Sequence, residues 1–257
     1  MNVGPSFTLS SACIVALAGV VAGTINAVVG SGTLLSYPVL LAVGLPAIPA
    51  NATNTVGLFF GSVSATASYR SLLAGRWHRL RWGLAAAMMG GTCGALLVLS
   101  LPPKVFSAVI PWLILFAAGL VAVQTHFTRW VRRRWPQAHE NSGTLAVATL
   151  PTGIYGGYFG AGQGVILMAL LGLTYDSDVQ RANGAKNLLA AAANGAAAVV
   201  FAFSGRVNWW VAPILAVAAV VGGQVGGRTA RRLSPAVLRG VVVFVGVIAS
   251  ISLLVKA

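Results

Sequence analysis

Ten apolar stretches follow one another along this chain, at about residues 11–29, 33–48, 53–73, 82–100, 105–127, 144–159, 164–174, 183–204, 208–227 and 236–255. A helix needs about 20 apolar residues to cross a bilayer, and most of these stretches are long enough. Two are not: 164–174 is short, and 33–48 is interrupted by Pro38 and Pro46. In lipid every backbone polar group must be satisfied internally, so only helices and closed barrels span. The Ala-, Leu-, Val- and Gly-rich runs lack the strict alternation of a barrel strand, and the pattern predicts helices.

The charges agree. Only 8% of the 257 residues are charged, against about 25% in a soluble domain. Three acids and seventeen bases cannot clothe a water-facing surface of this length. A soluble enzyme, a disordered chain and a secreted disulfide scaffold are excluded. The net charge of +14 does not indicate nucleic acid, because the bases sit in short clusters between apolar segments with no continuous basic face. Such clusters orient a membrane protein, with Lys and Arg collecting on the cytoplasmic side. Cys13 and Cys93 lie inside apolar stretches and read as small buried hydrophobes. No Cys/His set has metal-ligand spacing, and neither a metal nor a cofactor is expected. The opening MNVGPSFTLS lacks the basic region of a cleaved signal peptide, so the first stretch reads as a retained membrane segment.

The hydrophilic stretch 128–143 divides the chain into a first membrane unit, 1–127, and a second, 144–257. The units resemble each other. A shift of 130–132 residues pairs Gly23 with Gly153, Gly30 with Gly160 and Gly32 with Gly162. The same shift pairs Asn51 with Asn183, Gly75-Arg76 with Gly205-Arg206, and Gly90, Gly91 and Gly94 with Gly222, Gly223 and Gly226. Matches in common order at a nearly constant offset indicate one duplicated unit of about five segments. If each unit makes an odd number of passes, the two point oppositely. Thirteen bases then share one side: Arg70, Arg76, Arg79, Arg81, Arg129, Arg132–Arg134, Arg181, Arg228, Arg231, Arg232 and Arg239. Three, Lys104, Arg206 and Lys256, lie on the other. The expected architecture is therefore an all-α integral membrane protein of two inverted-topology repeats. Its basic loops are cytoplasmic and its termini outside.

The chemistry is expected where helices are interrupted. Each unit opens with a Gly-rich break: Gly30-Ser31-Gly32-Thr33 in the first, and Gly156 to Gly164 in the second, including Gly160, Gly162 and Gln163. Paired interrupted segments at corresponding positions point to a transporter binding site. A helix that starts within the membrane presents free N–H groups and partial positive charge, which suit an anion. The same glycines would also serve simple close helix packing. A second paired feature is polar: Asn51, Thr53, Asn54 and Thr55 in one unit, Asn183, Lys186 and Asn187 in the other. Helix capping would explain one such residue per site. Lys186 is the one base expected inside a span, and intramembrane ionisable groups are costly and usually functional. Snorkelling, or pairing with Asp176 or Asp178, is the plainer alternative.

Thr24-Ile25-Asn26-Ala27-Val28-Val29-Gly30-Ser31-Gly32, followed by Pro38 and by Asn51 to Asn54, resembles the first repeat of the TauE/SafE family of sulfite and sulfonate exporters. The run from Tyr155 to Gly162, then Arg181-Ala-Asn183, Lys186, Asn194 and Gly205-Arg206, is similar to its second repeat. The resemblance covers about residues 11–255, and the first break departs in carrying Ser31 between its glycines. It implies a multi-pass inner-membrane permease for sulfur oxyanions or organosulfonates such as sulfite or sulfoacetate.

The leading expectation is a transporter of a small anion by alternating access between two repeats. Gly30 to Thr33 and Gly160 to Gly164 would shape the site. Asn26, Asn51, Thr53, Asn54, Asn183, Asn187 and Asn194 would add polar contacts, and Lys186 the charge. No acid falls within a predicted span, so a carboxylate proton relay is not expected. A membrane scaffold without transport is the alternative; an intramembrane enzyme would need a nucleophile–base pair, and the three histidines sit in or beside basic loops. The seven tryptophans read as interfacial anchors, with Trp112 the least clear. Gly90, Gly91, Gly94 and their partners read as close helix contacts, and they would also suit an interface in a homo-oligomer.

Overall fold

A computed structural model describes residues 8–134, 142–229 and 234–256. The described residues form helices and no strand. The first unit comprises α1 (Leu9–Val28), α2 (Thr33–Ala42), α3 (Ala47–Ser68), the single turn α4 (Arg70–Leu73), α5 (Trp77–Ser100) and α6 (Pro103–Arg134). The second comprises α7 (Ser142–Tyr158), α8 (Gln163–Thr174), α9 (Val179–Phe203), α10 (Val211–Thr229) and α11 (Pro235–Lys256). Within the described residues, α1, α5, α9, α10 and most of α6 and α11 are each long and apolar enough to cross a membrane. The chain is a multi-pass helical membrane protein. Helices α2 and α8 have only 10 and 12 residues, about half a bilayer at 1.5 Å per residue.

The two units are interleaved. Helix α5 of the first packs chiefly on α7 and α9 of the second, while α10 of the second packs on α1 and α3 of the first. Helices α3 and α9 lie against each other in the middle, and α6 pairs with α11. Helices α3 and α9 run antiparallel: Asn183 near the start of α9 donates to the Tyr69 hydroxyl at the end of α3 (2.8 Å). At the opposite end, the N–H of Asn208, just beyond α9, donates to Thr53 near the start of α3 (2.9 Å).

Glycine makes the interleaving possible. A Cβ at Gly91 would stand 2.1 Å from the Ala193 carbonyl oxygen, and one at Gly223 2.3 Å from that of Gly61. One at Gly90 would stand 2.4 Å from the Leu150 oxygen, and one at Gly222 2.1 Å from the Val20 oxygen. In lipid no hydrophobic force pulls helices together, so such backbone approach supplies the dispersion contact that holds them. All six of the paired glycines of α5 and α10 are buried within the chain. They are therefore closed to a second copy, which corrects the oligomer-interface reading of these positions.

Other expectations are also corrected. The third stretch, read as starting at residue 53, begins as a helix at Ala47, with Pro46 at its cap. Proline without its N–H is tolerated there. Asn51, Thr53 and Asn54 are thus inside α3 and do not initiate it. Cys13 and Cys93 are exposed on the outer face of the bundle, not buried. The first seven residues of the 128–143 linker continue α6; residues 135–141 lie outside the described residues, as do Trp135, His139, Glu140, Arg231 and Arg232. Trp77, Trp82, Trp130, Trp209 and Trp210 are exposed near helix ends, and Trp112 is exposed well inside α6.

The breaks between α1 and α2 and between α7 and α8 meet. The N–H of Gly164 donates to the Gly30 carbonyl at 3.0 Å. Gly30 has φ +86°, and a Cβ on it would lie 2.5 Å from the Gly164 Cα. A side chain there would suffer both the left-handed backbone and the collision.

Candidate functional site

A helix that ends inside a protein leaves its last carbonyls without partners and carries partial negative charge there. Helix α1 ends so, and α9 supplies the answer. Lys186 is fully buried, and its ammonium donates to the carbonyls of Asn26 (3.2 Å) and Ala27 (3.1 Å). The amides of Asn183 and Asn187 also donate to Ala27, each at 3.2 Å. Residues 183, 186 and 187 share one face of α9 by the three- and four-residue spacing of a helix, and that face is turned to the end of α1.

No carboxylate joins them. Asp178 caps α9 by accepting from the N–H of Arg181 at 2.8 Å. Asp176 pairs with Arg76 at 2.7 Å and with Arg181 at 3.5 Å. Among the described residues Lys186 therefore has neither aspartate as a partner, and it does not snorkel to an interface. A buried charge without a counterion costs several kcal/mol, reduced here by carbonyl dipoles.

Lys186 also lines a cavity of about 10 Å³ between the two breaks. That is close to the smallest space that holds one water. The sequence-predicted residues around it are Asn26, Gly30 and Thr33 from the first unit, and Gly160, Gln163, Gly164, Asn187 and Asn194 from the second. The starts of α2 and α8 and the ends of α1 and α7 all converge here. Asn26 braces its own break: its amide donates to Ser62 at 3.0 Å, and its carbonyl oxygen accepts from the N–H of Gly32 at 3.4 Å. The Gln163 amide donates to the Thr152 carbonyl at 3.3 Å and occupies the space above Gly156.

Seven predicted residues are placed behind the cavity wall or away from it. Asn51 donates to the Tyr158 carbonyl at the end of α7 (3.0 Å). Asn54 donates to Thr33 (3.2 Å) and accepts from Ser36, holding the start of α2. Asn183 grips Ala27 and Tyr69. The Thr53 hydroxyl secures the loop at Asn208. Gly32 precedes α2 as its cap, Gly162 packs on Ala117, and the Ser31 hydroxyl is buried with no hydrogen-bond partner among the described residues. The amides of Asn51 and Asn183, expected to face a ligand, are thus engaged by helix-end carbonyls in this conformation.

The sequence matches the model of the family described as Sulfite exporter TauE/SafE over residues 15–253. The chain belongs to the TauE/SafE family. A TauE/SafE chain is similar, at 31% identity over 93% of its length and 90% of the relative's, to a probable membrane transporter protein (ORF9) of Sinorhizobium. It is 26% identical to a probable membrane transporter protein of Haemophilus influenzae, over 88% of its own length and 87% of that protein. With the probable membrane transporter protein YfcA of Escherichia coli it shares 25%, over 91% and 86%. No solved structure matches it. The TauE/SafE assignment places the chain among membrane transporters.

Sequence reasoning missed Leu58 and Ala190, which complete the cavity wall. They stand 132 residues apart, at the repeat offset, and each lies four residues from a polar position, Asn54 or Lys186. Offset and helical spacing together would have found them in this TauE/SafE chain, but an apolar residue carries no chemical signal by itself.

Proposed function

We propose that the protein moves a small sulfur oxyanion or organosulfonate across the cell's inner membrane by alternating access between two inverted repeats. One observation carries this reading: a fully buried lysine, with no carboxylate partner among the described residues, lines a cavity bounded by two broken helices. A bound anion supplies the missing countercharge. The antiparallel α3 and α9 support the inverted arrangement. Arg76 and Arg181 meet at Asp176, which supports their placement on one membrane side, the cytoplasmic one under the positive-inside rule.

The cavity is too small for an anion with three oxygens, so binding requires the helix ends to part. The contact between Gly30 and Gly164 closes the centre, and its separation is the expected opening motion. In proteoliposomes, sulfite or sulfonate flux should depend on the protein and fall at least tenfold in Lys186→Met, with a smaller loss in Asn194→Ala. Flux unchanged in both variants would overturn the site; no saturable flux of any sulfur anion would overturn the substrate class. Cysteine labelling that places positions 76 and 230 on opposite faces would overturn the topology.

A further inference from the structure

Resting on that transport reading, we infer that the site admits singly charged anions and excludes doubly charged ones. Monoanionic sulfonates and the singly protonated form of sulfite are then substrates, and sulfate is not.

The argument is electrostatic. Four helix ends reach the cavity. The starts of α2 and α8 each contribute about +0.5 of a charge, and the ends of α1 and α7 each about −0.5. These partial charges offset one another. Lys186 is the one formally charged side chain in the wall; the polar remainder, Asn26, Thr33, Gln163, Asn187 and Asn194, is neutral. No guanidinium is present there to grip a dianion in the two-pronged fashion arginine allows. At the start of α9, about a turn and a half before Lys186, Arg181 and Arg76 both bind Asp176, so this charge cluster is satisfied within itself.

A monoanion therefore pairs one to one with the ammonium. A dianion leaves one charge buried without a partner, which is strongly unfavourable in a medium of low dielectric. The free side chain at the site fits the same class. Asn194 lines the cavity and makes no side-chain hydrogen bond among the described residues. Its amide offers donors to anionic oxygens, and its carbonyl oxygen offers an acceptor to the one O–H of a singly protonated oxyanion. On this view sulfoacetate, with two charges at neutral pH, is carried only when its carboxyl is protonated.

The test uses the wild-type chain in proteoliposomes, so folding of a variant is not at issue. Initial rates are compared for methanesulfonate, which keeps one charge; sulfate, which keeps two; and sulfite, whose second proton dissociates near neutrality. Methanesulfonate should move at least about tenfold faster than sulfate. The ratio of sulfite to methanesulfonate flux should fall about tenfold per pH unit once the sulfite dianion predominates. Taking this ratio removes any effect of pH on the protein common to both. Sulfate moving as fast as methanesulfonate, or a ratio constant with pH, overturns the charge selectivity and leaves transport standing. Flux of none of the three overturns the transport reading and the selectivity with it.

Discussion

The end of α1 and the end of α7 hold corresponding places in the two units, yet they are treated differently. The last carbonyls of α1 receive an ammonium and two amides from α9. The Tyr158 carbonyl at the end of α7 receives one amide, that of Asn51 in α3. At the repeat offset Asn51 corresponds to Asn183, so the amide grip is shared by both. Asn54 corresponds to Lys186, and here the units diverge: Asn54 turns to Thr33 and Ser36 at the start of α2. The amide recurs at the sequence offset but the charge does not. Under the proposed transport reading, an anion held at the centre would meet Lys186 on one wall and neutral donors on the other.

Four tests, using six substitutions, probe this contrast in falling order of effect. Lys186→Met keeps the length and removes the charge, while the amides of Asn183 and Asn187 still cap α1. Anion flux in proteoliposomes should fall at least tenfold with the protein still monodisperse in detergent; flux near wild type would show that the charge asymmetry has no transport role. Next, Gly91→Leu and Gly223→Leu break the glycine contacts that the two units share. Each should destabilise by about 3 kcal/mol or more through forced separation of backbones, read as a loss of thermal stability in detergent. Equal losses would support a repeated scaffold; a loss in one alone would break the comparison.

The third test sets Asn51→Leu against Asn183→Leu. The first strips the Tyr158 carbonyl of its one side-chain donor among the described residues and should cost about 1–3 kcal/mol for a carbonyl left unsatisfied. The second leaves Ala27 with Lys186 and Asn187 and should cost less, about 1 kcal/mol. The reverse order in thermal melts would contradict the account of the two helix ends. The smallest effect is expected for Arg181→Ala. Its partner Asp176 keeps the closer Arg76, and a half-exposed arginine at 3.5 Å should contribute below about 1 kcal/mol. A shift in melting temperature comparable to that of Asn51→Leu would assign the end cluster a larger role.

Much of this was legible in the residues. The apolar stretches set the helices, because lipid leaves a backbone no other way to satisfy itself. The paired Gly-rich motifs placed both breaks, since positive φ and backbone contact tolerate only glycine at Gly30. Lys186 stood out because a base amid apolar residues is expensive. Less legible was which way each polar group faces. Asn51, Thr53 and Asn54 read as a cluster at a helix start; the helix starts nearly two turns earlier, and its packing sent Thr53 to a loop, Asn51 to α7 and Asn54 to α2. A shift of one residue rotates a helical side chain by about 100°, so a small error in a boundary changes every partner.

By itself the sequence determined that the chain is an all-helical membrane protein with glycine-marked helix breaks and a lysine amid apolar residues, because those facts follow from local composition and spacing. Only the tertiary structure decided that α5 and α10 cross into the opposite unit, that the breaks touch at Gly30 and Gly164, and that Lys186 rests on the end of α1 and not on an aspartate. The reason is physical. Composition dictates which groups must be satisfied, but a carbonyl and a lysine some 160 residues apart become partners only when packing brings their helices together.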